Sequence, residues 1–430
     1  KVSLDIAPQA SKEFTVPVNG LKSQPGTEYF VNFSVTTVEP EPLIPAGYEI
    51  AYDQFQLPIQ AEKRIYKANG PALTTATSGD ELTVSSSKVN FVFNKKSGLV
   101  TSYKVDGTEY FKDGFGIQPN FWRAPNDNDY GNGAPKRLQV WKQSSKNFHV
   151  TDVKMTTENK VVSLKATYLL AAGNLYVVTY RIYPSGIVNV SAQFTSTDMQ
   201  AAETEVSEAT RMATFTPGSD AARKAASKLE VPRIGVRFRL PAQMNNVQYF
   251  GRGPEENYID RNHGTLVGVY KTTADKMYFN YVRPQENGHH TDTRWIALSP
   301  DKGNGLAIVA DSLIGFNALR NSIEDFDSEE ALPHPYQWNN FSPEEVANHD
   351  EKAARNVLRR MHHVNDITPR DFVEVCVDMK QQGVGGYDSW GARPEPFHQI
   401  PANRDYSWGF TLVPVRSASQ ANEVAKYDYQ

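Results

Sequence analysis

Apolar and polar residues alternate along most of the chain, the period of a strand with one buried face. In residues 1–67 the pattern is clearest at Phe14-Thr-Val16, Tyr29-Phe-Val-Asn-Phe33 and Tyr48-Glu-Ile-Ala-Tyr52. Gln24-Pro-Gly26 and the Pro-rich stretch Glu39–Pro45 separate these runs. They predict a small β-sandwich of immunoglobulin-like size, with fewer than seven strands visible. Residues 68–80 (ANGPALTTATSGD) are small and turn-forming and read as a linker.

From residue 81 onward the strands resume. Phe91–Phe93, Leu99–Val105 and Thr108–Phe111 follow one another, divided by Lys95-Lys-Ser-Gly98 and by Asp106-Gly107. Asp-Gly is a strong signal for a two-residue hairpin loop, because both positions must accept positive φ. Further strands are predicted at Val161–Leu170, Leu175–Tyr183, Ile187–Phe194, Ile234–Leu240, Trp295–Leu298, Leu306–Ala310, Phe372–Val377 and Tyr406–Pro414. Their hairpin-like spacing, without βαβ alternation, predicts an all-β domain over residues 81–430, an antiparallel architecture of two large packed sheets. Helix is scarce. Ser342-Pro-Glu-Glu345 is a capping-box pattern opening a short helix, and a second helix is expected around Ala221–Leu229.

Composition narrows the function classes. At 430 residues the chain suits two or more domains. Lys plus Arg is 45 and Asp plus Glu is 49, well mixed, which gives no signal for nucleic acid. No run approaches the roughly 18 apolar residues of a membrane helix, so a soluble protein without a membrane partner is expected, periplasmic or cytoplasmic. The single cysteine, Cys376, permits neither an intrachain disulfide nor a Cys-based zinc site. No signal-peptide pattern is expected at Lys1, where the first residues read as strand. Aromatic residues make up 11%, as suits pleated surfaces and also the apolar faces of sugar rings.

Glycoside hydrolysis needs two carboxyl groups about 5–5.5 Å apart in retaining enzymes. Glu255, Glu256, Glu286 and Asp388 lie in loop-like contexts, where acidic residues more commonly hold turns or salt bridges. The adjacent pairs His289-His290 and His362-His363 would point to opposite strand faces, which disfavours a shared metal. No P-loop or Gly-x-Ser-x-Gly elbow occurs.

Three motifs stand out. They are Phe121-Trp-Arg-Ala-Pro-Asn-Asp-Asn-Asp129 with Gly131-Asn132; Tyr249-Phe-Gly-Arg-Gly-Pro-Glu-Glu-Asn-Tyr-Ile-Asp-Arg261 with Tyr281–Gly288 and Arg294-Trp295; and Gly383-Val-Gly-Gly-Tyr-Asp-Ser-Trp-Gly391. In this order they resemble the C-terminal small-chain domain of family 2 β-galactosidases. The resemblance spans about residues 80–415, and residues 1–67 resemble the immunoglobulin-like domain that precedes it there.

The resemblance implies a β-supersandwich related to the galactose-mutarotase superfamily. It also implies that both catalytic glutamates belong to an upstream barrel of the same polypeptide. This chain would then be a portion that contributes no catalytic residue and is inactive alone. Trp390 would form the apolar platform at the pocket for a β-galactoside, flanked by Asp388 and Ser389. Arg123, Asn126, Arg252 and Glu286 are weaker sugar-contact candidates, since Asx, Arg and Gly residues also build turns and domain contacts. No cofactor is implied in this chain, although the Asp/Asn oxygens of the first motif admit a calcium-like reading and the full-length enzyme admits a divalent or sodium ion. A homo-oligomer is compatible with the family. The sequence departs from the pattern at Tyr387, where Asp is common, and in the charged segment 351–366.

Two other readings stay open. A stand-alone sugar epimerase of the mutarotase type would need a Glu and two His, with His263 and His289 the candidates near a Gly-rich loop. A non-catalytic carbohydrate-binding module would need only exposed aromatic platforms.

Overall fold

The computed structural model describes residues 2, 5–196, 229–327, 363–388 and 391–429. Contacts divide the chain into Lys1–Arg64 and Ile65–Gln430.

In the first unit, Tyr29–Thr36 and Glu49–Leu57 form a two-stranded antiparallel sheet with Tyr29 opposite Leu57. Two of the expected strands are therefore present. The third, Phe14–Val16, is not a strand. Alternation alone does not make one, because backbone donors and acceptors need a neighbouring strand to pair with.

In the second unit a five-stranded sheet lies on a twelve-stranded one. The smaller sheet runs in chain order from Thr74–Ser78 to Thr108–Glu109. Its hairpin turn at Asp106-Gly107 has φ of 48° and 80°, as the dipeptide predicts, with Val105 paired to Thr108. Thr74–Ser78 falls inside the stretch expected as a linker; it is a fully exposed edge strand, so no apolar alternation marks it.

The larger sheet follows the order His149–Glu158, Val161–Leu169, Leu175–Ile182, Val188–Thr195, Tyr406–Val415, Gly305–Leu319, His290–Ser299, Asn246–Gly253 and Leu266–Thr273. Arg233–Pro241, Phe372–Gln381 and Gln118–Asn120 branch from it. The branch arises at Gly305–Leu319. Its first half pairs with Phe410–Val415 and its second half with Glu374–Asp378. Of the two strands that end the main path, His149–Glu158 is mostly exposed and Leu266–Thr273 is half-buried at most positions on both faces, which is why alternation did not reveal them.

The core lies between the sheets. Phe91 packs on Tyr180 with ring centroids 5.7 Å apart, and Phe111 on Phe238 at 5.6 Å. The Tyr103 hydroxyl donates to Gly186 O at 2.7 Å. On the outer face of the large sheet Trp295, Val309 and Val413 pack with Ala421 and Tyr429 of the C-terminal segment. A short helix at Gln139–Lys146, not expected from the sequence, buries Trp141 against Phe121 and Phe194. The predicted helix at Ser342–Glu345 lies outside the described residues, as does 221–228 of the other.

Phe91 is fully buried between the sheets. Phe91→Ala is expected to cost about 3–5 kcal/mol, read from chemical denaturation of the chain. An effect near zero would show that the two sheets do not share one core.

Candidate functional site

The strand Phe372–Gln381 delivers the chain into the glycine-rich loop that begins at Gly383. The three sequence motifs meet around this loop. Arg123, only 2% exposed, makes a two-pronged pair with Asp129: Nε donates to Oδ2 at 3.1 Å and Nη2 to Oδ1 at 3.0 Å. Its remaining donors hold the loop entrance, Nη1 to Gln382 O at 2.8 Å and Nη2 to Gly383 O at 3.0 Å. Burial opposes the guanidinium's charge, but Asp129 outweighs it and raises the Arg123 pKa.

Asp129 is placed by a capping box. Asn126 Oδ1 accepts from Asp129 N at 2.8 Å, and Asp129 Oδ2 accepts from Asn126 N at 3.1 Å, which starts the helix Asp127–Gly131. From that helix Asn128 Nδ2 donates to Val384 O at 3.1 Å. Asp127 exchanges hydrogen bonds with Gln285, its N donating at 3.2 Å and its Oδ2 accepting at 3.1 Å. The second motif adds Asp260, whose two oxygens accept from Val384 N at 3.0 Å and Gly385 N at 2.8 Å. Nothing in the sequence separates Asp260 from its acidic neighbours; only the fold brings it to the loop.

Two glycines are required by close approach. A Cβ on Gly383 would stand 2.3 Å from the Asp260 carboxylate. Gly391 has φ +88°, and a Cβ there would stand 2.4 Å from the backbone of Gly131. Between them Asp388 Oδ1 accepts from Ala392 N at 3.0 Å and closes the loop's far end. Tyr387 is 75% exposed. Ser389 and Trp390 lie outside the described residues, whereas their neighbours on both sides are held.

The other candidates sit in polar networks of their own. Arg252 pairs with Asp292 and donates to Thr265 O at 2.8 Å. Glu286 is buried, accepting from Arg233 Nη2 at 3.1 Å and Asn317 Nδ2 at 2.9 Å. Glu256 holds Gly288 N at 2.7 Å and Arg261 Nη2 at 2.6 Å, and Glu255 is exposed. His289 bonds Asn317 Oδ1 at 2.9 Å and stacks on Tyr258, while His290 stacks on Phe316; both are buried. His263 is exposed, so the epimerase reading's two histidines are not gathered at one buried centre. The Asp and Asn side chains of the first motif are spent on the contacts above. Among the described residues no group of three or more His, Cys, Asp or Glu is placed to hold a metal ion.

Arg233 is surrounded by more negative charge than it can balance. Glu286 is 3.1 Å away on one side and Asp378 3.1 Å on the other, all three buried. Burial, aided by Glu286 and opposed by Arg233, pushes the Asp378 carboxyl up to about 7. With Asp378 protonated the trio is neutral. Burial and the nearby Arg233 push His289 well below its ordinary value, so it is neutral too.

The family model of the β-galactosidase small chain matches residues 85–412. The chain belongs to that family. A second model, β-galactosidase domain 4, matches residues 1–58. A β-galactosidase of Priestia megaterium is 32% identical over 96% of this chain, and one of Streptococcus thermophilus is 25% identical over 96%. In each case the matched part is 34% of the relative's length, so the chain spans about a third of these curated relatives. Among solved structures, galactose 1-epimerase from Lactobacillus acidophilus NCFM aligns with TM-score 0.38 and 10% identity, over 82% of this chain and 99% of that one. Among the described residues no helix is long and apolar enough to cross a membrane.

Arg123→Ala is expected to destabilise the small-chain domain by about 3–5 kcal/mol, because it leaves the Asp129 charge buried and unpaired. Limited proteolysis should then cut first at the glycine-rich loop, and unchanged protection there would refute the anchoring role. A second expectation concerns pH. Asp378 holds its proton more tightly folded than unfolded, so from about pH 4 to about pH 7 its share of stability falls as pH rises. His289 acts oppositely, and its share is lost as pH falls below about 6.5. In Asp378→Asn the melting temperature should gain on the wild type from about pH 4 to about pH 7; parallel profiles would exclude Asp378 as the titrating group.

Proposed function

We propose that this chain is the C-terminal, non-catalytic portion of a retaining β-galactosidase that hydrolyses terminal β-galactosides. The two carboxyl groups that do the chemistry come from a barrel earlier in the same polypeptide. This portion completes the substrate pocket with Trp390 on the 383–391 loop. The observation that carries the reading is the small-chain family match over residues 85–412, in a chain a third as long as the β-galactosidases it resembles.

The loop's construction supports the role assigned to Trp390. Arg123, Asn128 and Asp260 hold its entrance and first half through five backbone groups, and Asp388 and Gly391 make close contacts at the far end. An indole offers a flat apolar face to a pyranose, and a platform at the pocket would help hold the sugar in the geometry that the reaction needs. In this reading Arg123, Asn126 and Asp388 position the loop and do not touch sugar, and Arg252 and Glu286 hold the second motif's turns.

The test has two arms. The 430-residue chain should turn over no chromogenic β-galactoside. In the full-length protein Trp390→Ala should lower kcat/KM by about 10–100-fold, the loss expected for about 1–3 kcal/mol of aromatic contact. Turnover by the chain alone would move the catalytic carboxyls into it. A full-length variant with wild-type kcat/KM would remove Trp390 from the pocket.

A further inference from the structure

A cleft with a cavity of about 410 Å³ opens in the second unit where the strands Leu99–Val105 and Tyr406–Val415 end against the C-terminal segment. That volume lies within the range of small-molecule sites. None of its lining residues belongs to the network that holds the 383–391 loop. We propose that this cleft is a second saccharide-binding site, taking a neutral mono- or disaccharide unit.

Its walls carry four tyrosines, Tyr66, Tyr110, Tyr427 and Tyr429. Tyr66 packs against Tyr429 with centroids 5.1 Å apart and stands edge-on to Tyr427 at 6.3 Å. The cluster is held in place before any ligand arrives. Tyr66 N donates to Asp428 O at 2.8 Å, and the Tyr183 hydroxyl donates to Tyr429 O at 2.6 Å. Two of the lining hydroxyls are spent on backbone, Tyr429 on Val424 O at 2.8 Å and Tyr110 on Gly305 O at 3.2 Å. The rings therefore serve as apolar surface, and Tyr66 and Tyr427 are the two that stay half-buried at the opening.

The polar part of the lining suits hydroxyl groups rather than a charged ligand. Lys88 and Asp106 face each other at 3.4 Å, so their charges cancel at the rim. Asn304 and Gln420 add amide groups, and exposed Arg416 adds a fork of donors. The Ser185 hydroxyl lines the cleft with its oxygen buried and no hydrogen-bond partner. Aromatic faces beside amide groups and a guanidinium fork are the features that recognise a sugar's C–H faces and its hydroxyls together.

The probe is lactose, followed by saturation-transfer NMR on the 430-residue chain and its variants. Transfer is expected in the wild type, with binding weakened about tenfold by Tyr427→Ala and by Arg416→Ala. Arg416 is on the surface, so its variant keeps the proposal testable should Tyr427→Ala fail to fold. Absence of transfer in the folded wild-type chain would overturn the proposal. Transfer lost in Trp390→Ala but kept in the other two would also overturn it, placing the sugar at the glycine-rich loop, where pocket completion predicts it.

Discussion

Arg123 is the constraint on which the glycine-rich loop depends. A buried guanidinium must have its charge and its donors answered inside the protein. Here Asp129 answers the charge, and the carbonyls of Gln382 and Gly383 take the remaining donors. The same carboxylate caps the helix that presents Asn128 to Val384. One buried pair thus joins residues more than 250 positions apart in the chain and ties the loop's entrance to the interior.

Arg233 shows what happens when the charges do not balance. With two carboxylates beside it, all three groups buried, the cluster raises the Asp378 pKa to about 7, chiefly through burial and with Glu286 adding to it. Such perturbed groups are often signs of catalysis. Here the perturbed carboxyl is fully buried, and Glu286 is tied to Arg233 and Asn317. The arrangement stabilises the junction of the strands Arg233–Pro241, Phe372–Gln381 and Gly305–Leu319 from within.

That junction explains how the sheet delivers the loop. Gly305–Leu319 changes partner midway, and its bulge lets the large sheet divide. Both branches contribute to the core shared with the five-stranded sheet, and Phe372–Gln381 ends at the glycine-rich loop. The tyrosine-lined cleft lies at the first half's end of this strand, beside Asn304.

Much of the architecture was legible in the residues. Half-buried strands such as Leu175–Ile182 announce themselves because every second side chain faces the core. Asp106-Gly107 announces its turn because few dipeptides accept two positive φ values. The three motifs marked the site region through their unusual density of Gly, Asn, Asp and Arg. Edge strands such as His149–Glu158 were not legible, since solvent on most positions erases the alternation, and Phe14–Val16 shows that alternation without a neighbour yields no strand. What the tertiary structure alone decided is which polar groups meet. Asp260 and Glu286 look alike in sequence, yet one holds the loop's amides and the other lies buried against Arg233. Local pattern follows from the chain's own periodicity, whereas the partner of a buried charge is set by contacts between segments far apart in sequence, and these exist only once the sheets have packed.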